Sequence, residues 1–340
     1  MTSFAIGTDE HVAATGVSAW LDRSERGKLA LTGGDAKEFL QGQISNDVLA
    51  LTSGTGCYAA LLTPKGKMLG DLRILDTGAE LLLDTERVAL QELFNMIRRF
   101  SLGHDVALHK RTLERGLISL LGPGSERVIG DPGLPAAEHA HLVADIDGIQ
   151  VRAVRTDAGI DLICESQRTA ELTRALTARG AEPISEATAE CVRIERGRPR
   201  YGIDLDDSVI PQEAGLNERA VSFQKGCYVG QETVARLFYR GKPNRQLRGL
   251  RLEGPAAVGA QIVFGDRVVG RLSSVATSPR FGEIGLALVR REAPLGSAVL
   301  VGDEPVMAVV VGLPFAADDL GPDQLATDGL APERLDTGDR

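Results

Sequence analysis

Cysteine is scarce and shows no pairing pattern: Cys57, Cys164, Cys191 and Cys227 stand 107, 27 and 36 residues apart, without a C-x-x-C. That spacing excludes a zinc ribbon and a disulfide framework. Reduced thiols and a cytoplasmic setting are the expectation. Long apolar runs are also missing, none approaching the roughly 18 residues of a membrane helix, and no lysine or arginine precedes Arg23. A protein neither exported by a basic-led signal nor held in a membrane is expected. There is no G-x-S-x-G elbow and no P-loop. Gly54 to Ala59 fits G-x-G-x-x-A, but Pro64 cuts short any following helix and no convincing strand precedes it. A turn is the better reading than a dinucleotide site. His104 with His109, and His139 with His141, lack metal-binding spacing and read as surface side chains.

What is present fits a globular chain. Hydrophobic residues make up 43% and charged ones 25% of 340 residues, enough for a sizeable core in two or three domains. The net charge of -9 hides an asymmetry. Residues 316–340 carry seven acids and two arginines, whereas residues 190–251 hold twelve basic and eight acidic residues. Only 14 aromatics occur, yet Tyr201, Phe223, Tyr228, Phe238 and Tyr239 crowd into this basic centre. Rings among cations suit a planar anionic ligand, and equally an aromatic mini-core with a charged rim.

The hydrophobic pattern divides the chain. Residues 1–26 read as a weakly ordered lead-in. Lys28 to Thr32 reads as a strand, followed by a helix with Asp35 and Glu38 at capping-box spacing. Tyr58 to Thr63 and Met68 to Leu75 form a hairpin around Pro64-Lys65-Gly66. Apolar residues at helical spacing mark Thr85 to Phe100, and helices are expected over Gln167 to Arg179, residues 186–196 and Gln231 to Tyr239. Strands and helices mix without a βαβ rhythm, giving an α+β body over 27–245. From 246 to 315, six brief β-rich runs predict an antiparallel barrel. The acidic end, 316–340, reads as disordered.

Two segments carry chemistry. In Lys225-Gly226-Cys227-Tyr228-Val229-Gly230-Gln231-Glu232 a cysteine sits just before a helix start, near a lysine. Both neighbours favour thiolate, so Cys227 is a reactive sulfur or else a packed thiol. Arg236 either meets an anion or pairs with Glu232 along a solvated face. In Arg193-Ile194-Glu195-Arg196-Gly197-Arg198-Pro199-Arg200-Tyr201-Gly202, Glu195 near a helix end gains nothing from the dipole. It could pair with adjacent N–H groups of a heterocycle such as a pterin, or form a salt bridge with a neighbouring arginine.

These segments, with Pro211-Gln212-Glu213-Ala214-Gly215-Leu216, Phe39 to Val48, Leu62 to Lys67 and Asp71, resemble the YgfZ family of folate-binding proteins. That family is related to the aminomethyltransferase (T-protein) of the glycine cleavage system, and the resemblance spans residues 27–312. It implies a GcvT-like folate-binding body of two intertwined subdomains around a central channel, with a C-terminal antiparallel β-barrel. Glu195 then matches the glutamate that holds the pterin, and Asp71 the acidic pair of aminomethyl chemistry, here Gly70-Asp71 with one acid missing. Ser45 stands in the family's threonine position. Cys227 matches the signature cysteine, which the T-protein lacks.

The resemblance implies a tetrahydrofolate-binding protein that assists iron–sulfur cluster assembly or repair in client proteins. Asn46 and Asp71 would line the channel, Tyr228 would stack on the ligand, and Lys225 and Arg236 would complete the folate site. Cys227 would be the acting thiol. The enzyme alternative is a folate-dependent one-carbon transferase of aminomethyltransferase type, with Asp71 as its acid or base. A third reading takes the six cations from Arg236 to Arg251 as a nucleic-acid patch. A folate glutamate tail explains the same cations, and nucleic acid is not the expected partner.

Overall fold

The computed structural model describes residues 8–316. Two antiparallel-rich sheets share the body, and the chain passes between them twice. Ala19–Asp22 lies in a six-stranded sheet with Arg115–Leu121, Gly159–Glu165, Ile149–Arg155, His141–Ile146 and the parallel Glu182–Pro183. The intervening chain builds a five-stranded antiparallel sheet in the order Gly56–Leu62, Met68–Asp76, Leu81–Thr85, Gly27–Thr32, Ala107–Lys110. This exchange is what intertwines the two halves.

Strand periodicity decides what each face does. Along Met68–Asp76, Leu72 and Ile74 join the core under the helices Ala36–Gln43 and Leu90–Phe100. Leu75, on the opposite face of the strand, packs instead with Leu117, Val154 and Ile163 of the other sheet. Asp71 and Arg73 share that inner side, where Arg73 bridges Asp84 of its own sheet to Asp161 of the opposite one at 2.5 Å each. The central layer between the sheets is therefore partly ionic.

The expected hairpin, helices and barrel strands appear within a few residues of their predicted bounds. Six strands from Arg245–Leu252 to Val306–Val311 close into a barrel. It docks on the body through Leu247, Phe281 and Phe315, packed around Ile194.

Two expectations are corrected. Of the stretch 1–26 read as a weakly ordered lead-in, residues 1–7 lie outside the described residues, and the rest contains the helix Thr8–Gly16 and the strand Ala19–Asp22, fully paired with Arg115–Leu121. Its inward face is Ala13 and Ala14, too small to produce an apolar stripe. The capping box at Asp35 does not form either. The Asp35 carboxylate accepts from the Asp105 backbone N–H at 2.8 Å, while Asp105 accepts from Gly34 at 2.8 Å. A residue 70 positions away thus takes the cap's place. The acidic end expected to be disordered lies, from residue 317 on, outside the described residues.

Candidate functional site

The helix Glu186–Glu195 starts at Ser185, whose side chain accepts from the Thr188 N–H. The N-terminal helix grips it at both ends. Glu10 accepts from Ser185 and Thr188 near its start, and His11 Nε2 meets Glu195 Oε1 at its end, at 2.8 Å. Ser278 of the barrel donates to the same oxygen at 2.5 Å, and the Cys191 thiol does so at 3.5 Å. Burial pushes the Glu195 carboxyl up, but the bonds from His11 and Ser278 outweigh it and hold its pKa below the ordinary value. Glu195 lines a cavity of about 540 Å³ between Gly122-Pro123, Arg196 and the barrel residues Arg280 and Phe281. With Oε1 saturated, Oε2 is the oxygen left to serve that cavity.

Asp71 lines a second cavity, of about 190 Å³. Thr156 and Asp157 line both spaces, so the two adjoin. Asp157 is held in the partition by Arg198 at 2.5 Å and Arg196 at 3.5 Å. Asp71 is 7% exposed and accepts from the Tyr58 hydroxyl at 2.6 Å. Burial raises its pKa to about 6 against the pull of the Tyr58 bond. Gly70 has no room for the missing second acid, since a Cβ there would stand 2.7 Å from the Ala89 Cβ. The cavity thus carries Asp71 without a second acid beside it at position 70. Arg26, Arg73, Arg200 and Arg219 surround it, each paired to acids such as Asp84, Glu86 and Glu138.

The Lys225 to Glu232 segment is mostly framework. Lys225 is buried, and its ammonium donates to the carbonyls of Gln41, Ile44 and Asn46 at 2.6 to 2.8 Å. Tyr228 is 7% exposed in the core with Leu62, Met68 and Val234, beneath Lys225. Gly230 has φ +85°, and a Cβ there would meet the Thr63 carbonyl at 2.5 Å, so the turn of the hairpin admits only glycine. Gly226, Cys227 and Glu232 are the segment's exposed positions. Lys225 and Tyr228 are therefore spent on holding the loop rather than lining either cavity. Asn46 is spent in the same way, its amide donating to the carbonyls of Tyr58 at 2.7 Å and Arg219 at 3.1 Å. Arg236 is exposed on the helix Gln231–Arg240, away from both linings, and among the described residues forms no salt bridge with Glu232. Phe223, Phe238 and Tyr239 make their own aromatic cluster, with Phe223 stacked on Phe238 at 3.8 Å, while Tyr201 lines the Asp71 cavity.

Sequence reasoning missed His11, Arg26 and His139. The first two lay in the supposed lead-in. His139 and His141, read as surface residues, are 7% and 3% exposed. His141 is bound by Thr55 and Arg152, and His139 lines the Asp71 cavity.

No helix among the described residues is long and apolar enough to cross a membrane. Residues 2–225 match the GCVT N-terminal domain, and residues 245–316 match the glycine cleavage T-protein C-terminal barrel domain. An aminomethyltransferase of Rubrobacter xylanophilus is 30% identical over 318 residues, covering 90% of this chain and 85% of the relative. A chloroplastic putative transferase of Arabidopsis thaliana is 28% identical, covering 87% and 71%. In fold, the chain is similar to the glycine cleavage system aminomethyltransferase T of Bartonella henselae, with a TM-score of 0.80 and 22% identity over 91% of this chain and 89% of that one. With both halves of the chain matched in order and the intertwined body and barrel in place, this protein belongs to the GCVT family.

Proposed function

We propose that the chain binds tetrahydrofolate across the two adjoining cavities, and that the bound folate serves assembly or repair of iron–sulfur clusters in client enzymes. Glu195 carries the reading. A carboxylate locked at Oε1 by three donors and kept ionised on a cavity wall is preset for adjacent N–H groups of a pterin. Tyr201 and Asp71 would line the other end of the ligand. Bound tetrahydrofolate supplies ring nitrogens that accept or release one-carbon units.

Cys227 supports the iron–sulfur part. The loop around it is fixed by Lys225, Tyr228 and Gly230, leaving its thiol exposed to a client. One cysteine does not hold a cluster by itself, so a cluster would be shared with the partner.

A second reading has its own support. Relatives carry the name aminomethyltransferase, and Asp71, with a pKa of about 6, is poised for acid–base work near neutral pH. Against it stands the single acid at Gly70-Asp71.

Calorimetric titration with tetrahydrofolate tests the core of the proposal. Glu195→Gln is expected to bind at least about tenfold more weakly, the worth of a charge-assisted hydrogen bond. Equal affinity removes Glu195 from the site. Cys227→Ala introduced into a deletion strain is expected to leave iron–sulfur enzymes under-active, and full activity there removes the thiol. Turnover of an aminomethyl donor with tetrahydrofolate, lost in Asp71→Asn, would favour the transferase.

A further inference from the structure

His11, Cys191 and Glu195 are buried together, and one ligating atom from each lies within 4.8 Å of the other two. Cys191 and Glu195 stand four residues apart on the helix Glu186–Glu195, so their side chains share one face, a turn apart. His11 reaches that face from the helix Thr8–Gly16, which Glu10 anchors to Ser185 and Thr188. Its Nε2 lies 2.8 Å from Glu195 Oε1, and Cys191 Sγ lies 3.5 Å from the same oxygen. Nitrogen, sulfur and oxygen donors thus converge from two helices held in fixed relation.

Hydrogen bonding accounts for only part of this cluster. His11 and Ser278 already satisfy Oε1, and a thiol is a weak donor that adds little beside them. As ligands the three are strong, because imidazole, thiolate and carboxylate are the groups that zinc takes. Zinc bonds of about 2.0 Å to nitrogen and oxygen and about 2.3 Å to sulfur place tetrahedral ligands about 3.3 to 3.5 Å apart. The Cys191–Glu195 separation already matches, and the His11–Glu195 pair needs to open by about 0.5 Å. Val192 and Glu195 line the cavity of about 540 Å³, so the cluster borders an open space rather than a sealed core.

We propose that His11 Nε2, Cys191 Sγ and Glu195 Oε1 form a binding site for one thiophilic divalent cation of the zinc class. The site stands whichever ligand fills the cavity. Binding forms three bonds to the metal. The Cys191 S–H breaks, its electron pair going to the metal and its proton to solvent. The imidazole carries its single proton on Nδ1 and offers the Nε2 lone pair. Oε1 exchanges its hydrogen-bond donors for the metal, and Glu195 Oε2 is left to the cavity. Magnesium, which prefers an all-oxygen shell, does not suit this set.

Calorimetric titration of the metal-free full chain with zinc chloride is expected to show one equivalent bound, and titration with magnesium chloride none. Cobalt(II) in place of zinc reports the ligands, because a thiolate–cobalt bond gives a charge-transfer absorption that nitrogen and oxygen ligands do not. That band is expected in the wild type and in Cys227→Ser, and is expected to vanish in Cys191→Ser. His11→Gln keeps a donor for Glu195 but supplies a poor ligand, and should bind zinc at least about tenfold more weakly. Thermal unfolding without metal shows that each variant keeps the fold, and added zinc should raise the Tm of the wild type but not of Cys191→Ser. Where Cys191→Ser does not fold, the wild-type and Cys227→Ser spectra still decide between a buried thiolate and the exposed one. A wild type without the band, a band lost in Cys227→Ser, or equal zinc affinity in Cys191→Ser overturns the site. None of these results bears on tetrahydrofolate binding, which the separate titration of Glu195→Gln tests.

Discussion

The imidazole of His11 and the carboxylate of Glu195, 184 positions apart in the chain, meet at 2.8 Å with both side chains buried. The N-terminal helix thereby orients the residue on which the ligand reading depends. Ser278 makes the same oxygen a barrel contact, so body, barrel and N-terminus converge on one carboxylate. His11→Ala should cost about 1–3 kcal/mol of stability, because it strips a donor from a buried charge, and should weaken tetrahydrofolate binding in calorimetry. His11→Gln, whose amide can still donate, should recover part of both. Unchanged affinity in His11→Ala would show that Ser278 and Cys191 suffice to orient Glu195.

Asp71 sets a pH dependence of opposite sign to most buried carboxylates. Its folded pKa of about 6 lies above the ordinary 3.8, so the unfolded chain loses this proton first as pH rises. The stability contributed by the protonated carboxyl is complete below about pH 4 and is lost by about pH 6. Asp71→Asn keeps an acceptor for Tyr58 and carries no charge. It should therefore stabilise the protein by about 2–3 kcal/mol at pH 7, and by almost nothing at pH 4. Urea unfolding at the two pH values measures the difference, and an equal effect at both would show that Asp71 stays ionised throughout.

How much of this was legible in the sequence depended on how local its cause was. The barrel strands and the Tyr58–Met68 hairpin follow from alternation and turn residues within a few positions, and they stand where they were expected. The helix Thr8–Gly16 was invisible because it buries alanines and a histidine while Val12 is 53% exposed. The Asp35 cap failed for a different reason, since Asp105 arrives from the bend before the strand Ala107–Lys110 to take it. The Lys225 to Glu232 motif was conspicuous, but the work of its lysine and tyrosine was not. Which carbonyls surround Lys225 depends on the turn at residues 41–46, some 180 positions earlier. Glu195 stood out by its place at a helix end, Asp71 was found through resemblance, and His139 carries no local signal at all.

Thiol labelling distinguishes Cys227 from the other cysteines. Cys164 and Cys191 are buried, and Cys57 is half-buried with its thiol pushed up to about 12 by burial. In the folded protein one thiol should react rapidly with an aromatic disulfide reagent, and Cys227→Ser should abolish that phase. Since its side chain is exposed, the substitution should change stability by no more than about 0.5 kcal/mol. Rapid labelling that survives in Cys227→Ser would place the reactive thiol elsewhere, with Cys57 the next to test.

Lys225→Met asks whether the signature loop is a ligand site or a framework. The ammonium donates to three carbonyls of residues 41–46, and burial pushes its pKa down to about 8. Methionine fills the space but leaves those carbonyls without their donor, so a loss of about 1–3 kcal/mol is expected at pH 7. The sign with pH is fixed by the lowered pKa. The unfolded chain holds the lysine proton up to about 10.5, so the wild type gains stability between about pH 8 and pH 10 as the buried charge is discharged. The variant should lack that rise. Tetrahydrofolate affinity, measured where the variant is folded, should stay near the wild-type value, since Lys225 lines neither cavity. A large loss of affinity with little loss of stability would instead return Lys225 to the ligand site.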